Sequence, residues 1–270
     1  MKKLTIITLI LISFSAAAQK SSKFTNYYYD VTFGEQYGVK LTAKNIISRA
    51  DFIKLGLEIN NQSDNYVFFR KDKCKFVINQ NSYFPKTVKK GEIIKPNKKK
   101  VITVKSAGQI NYLSEDIDFM PGGFYTFPGE GKIIETDSFH LPATKNTIKN
   151  DVFKINMLKL KKETQETAIK FKCTYTGDKI GIINPSQCVL RTESGKEWAP
   201  ENSKEKVKIL QKGEKANFVL IFKIPGKITD MQFAEMDIVW KNTFSESELT
   251  PLNFDIQHVN IDKNTTNKEN

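Results

Sequence analysis

Apolar and polar residues alternate along most of this chain with a period of two. Residues 52–59 set Ile53, Leu55, Leu57 and Ile59 against Lys54, Gly56 and Glu58. Residues 169–175 set Ile169, Phe171, Cys173 and Tyr175 against Lys170, Lys172 and Thr174. Such alternation marks a strand with one face buried and the other in water. Residues 101–104, 217–222 and 236–240 behave alike, and turn signals such as Asn60-Asn61, Thr176-Gly177-Asp178, Gly195-Lys196 and Gly213-Glu214 separate the runs. No apolar stripe of helical period persists over three turns. The pattern predicts an all-β chain.

The pattern also occurs twice. CKFVINQNSYFP, residues 74–85, returns as CVLRTESGKEWAP, residues 188–200. Residues 53–59 match 169–175, which sets Leu57 against Cys173. Ile102 and Val104 match Phe218 and Leu220, and Phe139-His140-Leu141 matches Phe254-Asp255-Ile256. The offset stays between 114 and 116, so the chain reads as a duplicated domain. Short strands, regular turns and units of this length predict two tandem β-sandwich domains, each able to bury its own core. Their expected bounds are residues 24–143 and 148–258. The Pro142-containing stretch 141–147 forms the link, and residues 259–270, being polar, form a disordered tail. In each quoted stretch the cysteine opens a buried strand, polar residues make a turn, and an aromatic followed by proline ends the return strand.

The first residues, MKKLTIITLILISFSAAAQK, have the three-part form of a secretory signal. Lys2 and Lys3 precede an apolar run too short to span a bilayer, and Ala16 and Ala18 supply the small residues of a cleavage site. Residues 1–18 are the expected signal peptide, and the remainder is expected to be exported to the periplasm or beyond, with no stable membrane insertion. The chain carries 42 Lys+Arg against 30 Asp+Glu, a balance that favours anionic partners. Only Arg49, Arg70 and Arg191 are arginine. Recognition of phosphates and base edges relies on the guanidinium fork, so no nucleic-acid partner is expected.

Candidate chemistry is sparse. Cys173 and Cys188 either form a disulfide or serve as two small buried hydrophobes. The first copy, with Leu57 and a lone Cys74, favours the second role. His140 and His258 do not fall at matching positions of the two copies, and no metal or cofactor is expected. The oddest segment is residues 119–132, FMPGGFYTFPGEGK. Its functional reading is an exposed aromatic loop in which Phe119, Phe124, Tyr125, Phe127 and Lys132 grip a ligand. Its structural reading is a long strand connection whose rings cap the sandwich or fill the junction between the domains. The lysine-rich stretch 86–100 either meets an anionic glycan or lipid surface or protects a turn and an edge strand. No nucleophile elbow, zinc helix or carboxylate dyad is recognisable, so the chain is not expected to be an enzyme.

The order of strand, Asn-Asn or Thr-Gly, strand, Gly/Ser turn, Tyr or Trp, and then a strand ending in a Pro-Asn-Lys or Lys-Gly-Glu turn resembles the telokin-like, immunoglobulin-fold domains of exported bacterial proteins. The resemblance spans residues 42–104 and 168–224. The glycine before the aromatic stands at Gly195 in the second copy and is replaced by Asn81-Ser82 in the first. This resemblance implies two tandem immunoglobulin-like sandwiches acting as accessory or binding modules, and it brings no catalytic residues. The expected function is that of a non-catalytic binding protein of the bacterial envelope with a protein or glycan partner. The alternatives are a structural spacer or accessory subunit of an envelope complex, and a hydrolase with an unrecognised site.

Overall fold

A computed structural model describes residues 24–201 and 205–270, and the expected signal peptide lies outside them. The protein is all-β, built of antiparallel sheets, and no helix among the described residues is long and apolar enough to cross a membrane. It divides into two compact units. Unit 1 runs to Phe127 and resumes at Thr250, and unit 2 is Pro128–Leu249.

Unit 1 contains β1 (Asn26–Tyr28), β2 (Val31–Gln36), β3 (Val39–Arg49), β4 (Phe52–Asn61), β5 (Tyr66–Phe69), β6 (Lys75–Ile78), β7 (Asn81–Tyr83), β8 (Glu92–Ile94), β9 (Lys98–Ala107), β10 (Asp116–Met120) and β11 (Phe124–Phe127). Unit 2 follows with β12 (Lys132–Ile133), β13 (Phe139–Leu141), β14 (Thr147–Lys149), β15 (Phe153–Lys162), β16 (Glu166–Tyr175), β17 (Ile180–Ile183), β18 (Val189–Thr192), β19 (Glu197–Trp198), β20 (Lys208–Leu210), β21 (Lys215–Lys223), β22 (Met236–Val239) and β23 (Phe244–Ser247). The chain then returns to unit 1 with β24 (Thr250–Leu252), β25 (Gln257–Asn260) and a short helix, α1 (Lys263–Glu269).

The two units repeat one sheet plan. In unit 1 the orders are β1-β3-β4-β9, β25-β10-β6-β7 and β24-β11-β5-β8. In unit 2 they are β14-β15-β16-β21, β13-β22-β18-β19 and β12-β23-β17-β20. Each set encloses its own apolar core. Leu41, Leu55, Phe76 and Phe119 centre the first, and Phe153, Phe171, Phe218 and Trp240 the second. The quoted hairpins form as expected: Phe76 pairs with Tyr83 across β6 and β7, and Leu190 with Trp198 across β18 and β19. Cys74 and Cys188 each follow a 3-10 turn, Lys71–Lys73 and Pro185–Gln187.

The expected linear order is corrected. The sequence reading closes the first domain at residue 143, yet β12 and β13 belong to unit 2, while β24 and β25 complete unit 1. Each half of the repeat lends its last two strands to the other, so unit 2 stands inserted in unit 1. Residues 141–147 therefore run from the end of β13 through a connection to the start of β14, within unit 2 and not at a boundary. The tail is also corrected. Val259 is buried on β25, and Asp262 caps α1 by accepting from the Thr265 backbone N–H at 3.1 Å. An aspartate at that position satisfies one of the free donors of a helix start.

The register of the repeat shifts by two residues in one strand. From β4 and β16 through both 3-10 turns the element bounds keep a constant offset of 114, which sets Ile59, not Leu57, against Cys173. Leu41 lies across from Ile59 just as Ile155 lies across from Cys173. A slip of two leaves every inward residue inward, so alternation alone cannot detect it.

Candidate ligand-binding site

The aromatic segment is not an exposed loop. Phe119 sits on β10, and Phe124, Tyr125 and Phe127 sit on β11. Phe119, Phe124 and Phe127 are at most 1 % exposed. The Phe119 ring centroid lies 5.1 Å from that of Phe76, Phe124 stacks 4.2 Å from Phe69, and Phe127 stacks 5.3 Å from Tyr66. Three of the five expected contact residues are thus core, because the segment folds into two strands whose rings face neighbours. Tyr125 is half-buried beside Phe68, 6.0 Å between centroids. Lys132 is exposed on β12 and belongs to unit 2. The five residues form no common site.

The glycine end of the same segment does line a hollow, which lies wholly within unit 2 and encloses about 170 Å³. Its rim is Gly129, Glu130 and Gly131, running into Ile133 of β12. Its floor and opposite wall are Ile182 of β17, Asn184 and Gln187 at the ends of the 3-10 turn, Asn242 in the turn before β23, and Ser245 of β23. The walls are held by main-chain bonds. The Asn184 N–H donates to the Thr243 carbonyl at 2.8 Å, and the Thr243 N–H donates to the Trp240 carbonyl at 2.7 Å. Gly131 passes so close to β23 that a Cβ there would lie 2.1 Å from the Glu246 carbonyl oxygen, so only glycine fits.

The two copies differ at the strands that line the hollow. Ile182 lies directly across from Ser245 on β17 and β23. On the corresponding strands of unit 1, Phe68 lies across from Tyr125. Two rings stand there where an isoleucine and a serine stand here. The lining supplies amide groups from Asn184, Gln187 and Asn242, one hydroxyl and one exposed carboxylate, Glu130, and it contains no lysine or arginine. In a chain with 42 basic residues that absence selects against anions. Of the segment 119–132, the glycines at its end line this hollow and the rings expected to grip a ligand do not. The sequence alone gives no sign of this hollow, because the pairing of Ile182 with Ser245 across β17 and β23 is not local.

The remaining candidate groups are structural. Cys74, Cys173 and Cys188 are free and buried, and burial pushes each thiol up to about 12. Cys173 and Cys188 flank different sheets, so the disulfide alternative is not realised. The histidines do hold matching positions, contrary to the sequence alignment. His140 of β13 lies across from Asp237 of β22, and His258 of β25 across from Asp118 of β10. The Nδ1–Oδ1 distances are 3.0 and 2.9 Å. Each pair clasps a strand lent by the other half of the repeat. Among the described residues no group of three or more His, Cys, Asp or Glu could hold a metal ion.

No family model and no curated protein matches this chain. Among solved structures, a conserved domain protein from Bacillus anthracis is similar at 10 % identity over 89 % of this chain and 92 % of that one, with a TM-score of 0.23. A likeness of that size carries no inference.

Proposed function

We propose that the protein is an exported, non-catalytic binding protein of the bacterial envelope whose second unit holds a small neutral polar ligand. The supporting observation is a cross-strand pair at which the two copies differ beside the hollow: Phe68 and Tyr125 stand in unit 1 where Ile182 and Ser245 stand in unit 2. Duplicated scaffolds keep packing residues and vary surface positions for recognition. Amides and a hydroxyl beside two isoleucines suit a ligand with hydroxyl or amide edges and an apolar face, such as one sugar ring or a blocked dipeptide. Export rests on the leader-like residues 1–18. Kinship with telokin-like, immunoglobulin-fold domains rests on the motifs quoted above.

Saturation-transfer NMR with a panel of neutral mono- and disaccharides and blocked dipeptides tests this reading. The expected result is transfer to at least one class, lost in Ser245→Tyr, which restores the ring of unit 1, and weakened in Gln187→Ala. Melting temperatures should stay near that of the parent. No transfer to any probe, or transfer undiminished in both variants, would return the protein to the reading of a structural spacer.

A further inference from the structure

We propose that the outer faces of the two long-stranded sheets bind an acidic polysaccharide. In unit 1 the outward positions of β3, β4 and β9 carry six cations, Lys40, Lys44, Arg49, Lys54, Lys99 and Lys105, against one carboxylate, Glu58. Glu58 holds Lys44 and Lys99 at 3.1 and 2.8 Å. Lys40, Lys54 and Lys105 make no ion pair among the described residues. In unit 2 the corresponding face of β15, β16 and β21 repeats the bias. Lys154, Lys159, Lys170, Lys172 and Lys215 are without ion pairs among the described residues, while Lys161 pairs with Glu163 and Lys223 with Glu166.

Two features separate these faces from ordinary solvated surface. First, each places two lysines directly across from one another, Lys54 with Lys105 and Lys159 with Lys170. Like charges in that position destabilise a sheet, and each unit bears this cost at a different strand pair, β4–β9 in one and β15–β16 in the other. Second, lysines on an edge strand guard against aggregation, but β4 and β16 are interior strands, to which that explanation does not apply. Lys54 and Lys105 also stand over the Phe52 ring at 5.6 and 4.4 Å, an arrangement that fixes where their charges point.

The chemistry between the lysines names the polyanion. Thr42, Asn60 and Thr103 share the first face, and Asn156, Thr174 and Asn217 the second. Cations interspersed with hydroxyl and amide groups match a polymer that carries carboxylates among hydroxyls. Outward residues repeat about every 6.8 Å along a strand, so contacts of one kind recur along an extended chain. These faces do not involve the hollow of unit 2, and the proposal stands apart from it.

The test is calorimetric titration of the protein with a short linear polyuronate, with neutral dextran as control. Lys40→Gln/Lys54→Gln/Lys105→Gln and Lys159→Gln/Lys170→Gln/Lys172→Gln should each weaken binding more than about fivefold, since each removes three charged contacts. Lys86→Gln/Lys227→Gln/Lys268→Gln, with the same change of net charge, should weaken it less than about twofold because isolated surface charges are screened. Melting temperatures of the face variants should equal or exceed that of the parent, since like-charge pairs are relieved. A loss equal in the control triple would reduce the effect to bulk charge and overturn the proposal. So would absence of polyuronate binding, or tighter capture of phosphatidylglycerol vesicles or duplex DNA through the same lysines.

Discussion

Phe171 is fully buried on β16, with its ring 5.5 Å from Phe218 and 5.3 Å from Trp240. Its chain neighbour Lys172 points the other way, into water. The period of two along the strand makes these adjacent residues energetically unlike. Phe171→Ala should cost about 3–5 kcal/mol, the usual range for emptying a core aromatic site. Lys172→Ala should stay within about 0.5 kcal/mol. Urea unfolding followed by tryptophan emission measures both, and small, equal costs would mean the strand is not half-buried. The cysteines obey the same rule at the same scale. Cys173 occupies an inward position that Ile59 fills in the other copy, and its sulfur packs as an aliphatic group.

At the scale of elements, the informative strands are the lent ones. Deleting residues 250–270 removes β24 and β25 from unit 1 and takes nothing from unit 2. Both tryptophans, Trp198 and Trp240, lie in unit 2, and Trp240 is 1 % exposed. The deletion should abolish a large part of the β-sheet circular dichroism while leaving the buried tryptophan emission in place. A red-shifted emission would restore the linear order of domains. The individual strands and the duplicated hairpins were legible in the sequence because alternation and turn residues are local. Which copy a terminal strand joins was not legible. Phe139, Leu141 and Val259 are apolar residues suited to equivalent slots, and both units offer one. The buried rings of β11 were equally ambiguous, since glycines and prolines around aromatics describe a loop and a strand end alike. Ser245 gave no sign until its partner across the sheet was known.

Across the whole molecule, two separate cores of similar size should unfold as two events. Calorimetric enthalpy should exceed the van't Hoff value, as multidomain chains violate two-state behaviour. Leu252→Ala, on β24 but packed in the first core, should lower the transition that tryptophan emission does not report. If the tryptophan-reporting transition moved instead, the assignment of β24 would fail. Scaffold and surface divide their tasks between the copies: shared apolar positions hold the sheets, and the pair at Ile182 and Ser245 is free to differ.

The insertion of one unit within the other also sets an order of birth. Every strand of unit 2 lies in one continuous stretch, so it can close as soon as Leu249 has been made. Unit 1 begins earlier and must wait. Phe124 finds its partner at Leu252, and Asp116 finds Asn260, only after the intervening chain has emerged. Loops of that length close slowly. The older unit is therefore the later to finish, and a chain interrupted before Thr250 leaves unit 1 with two strand positions open although unit 2 is complete.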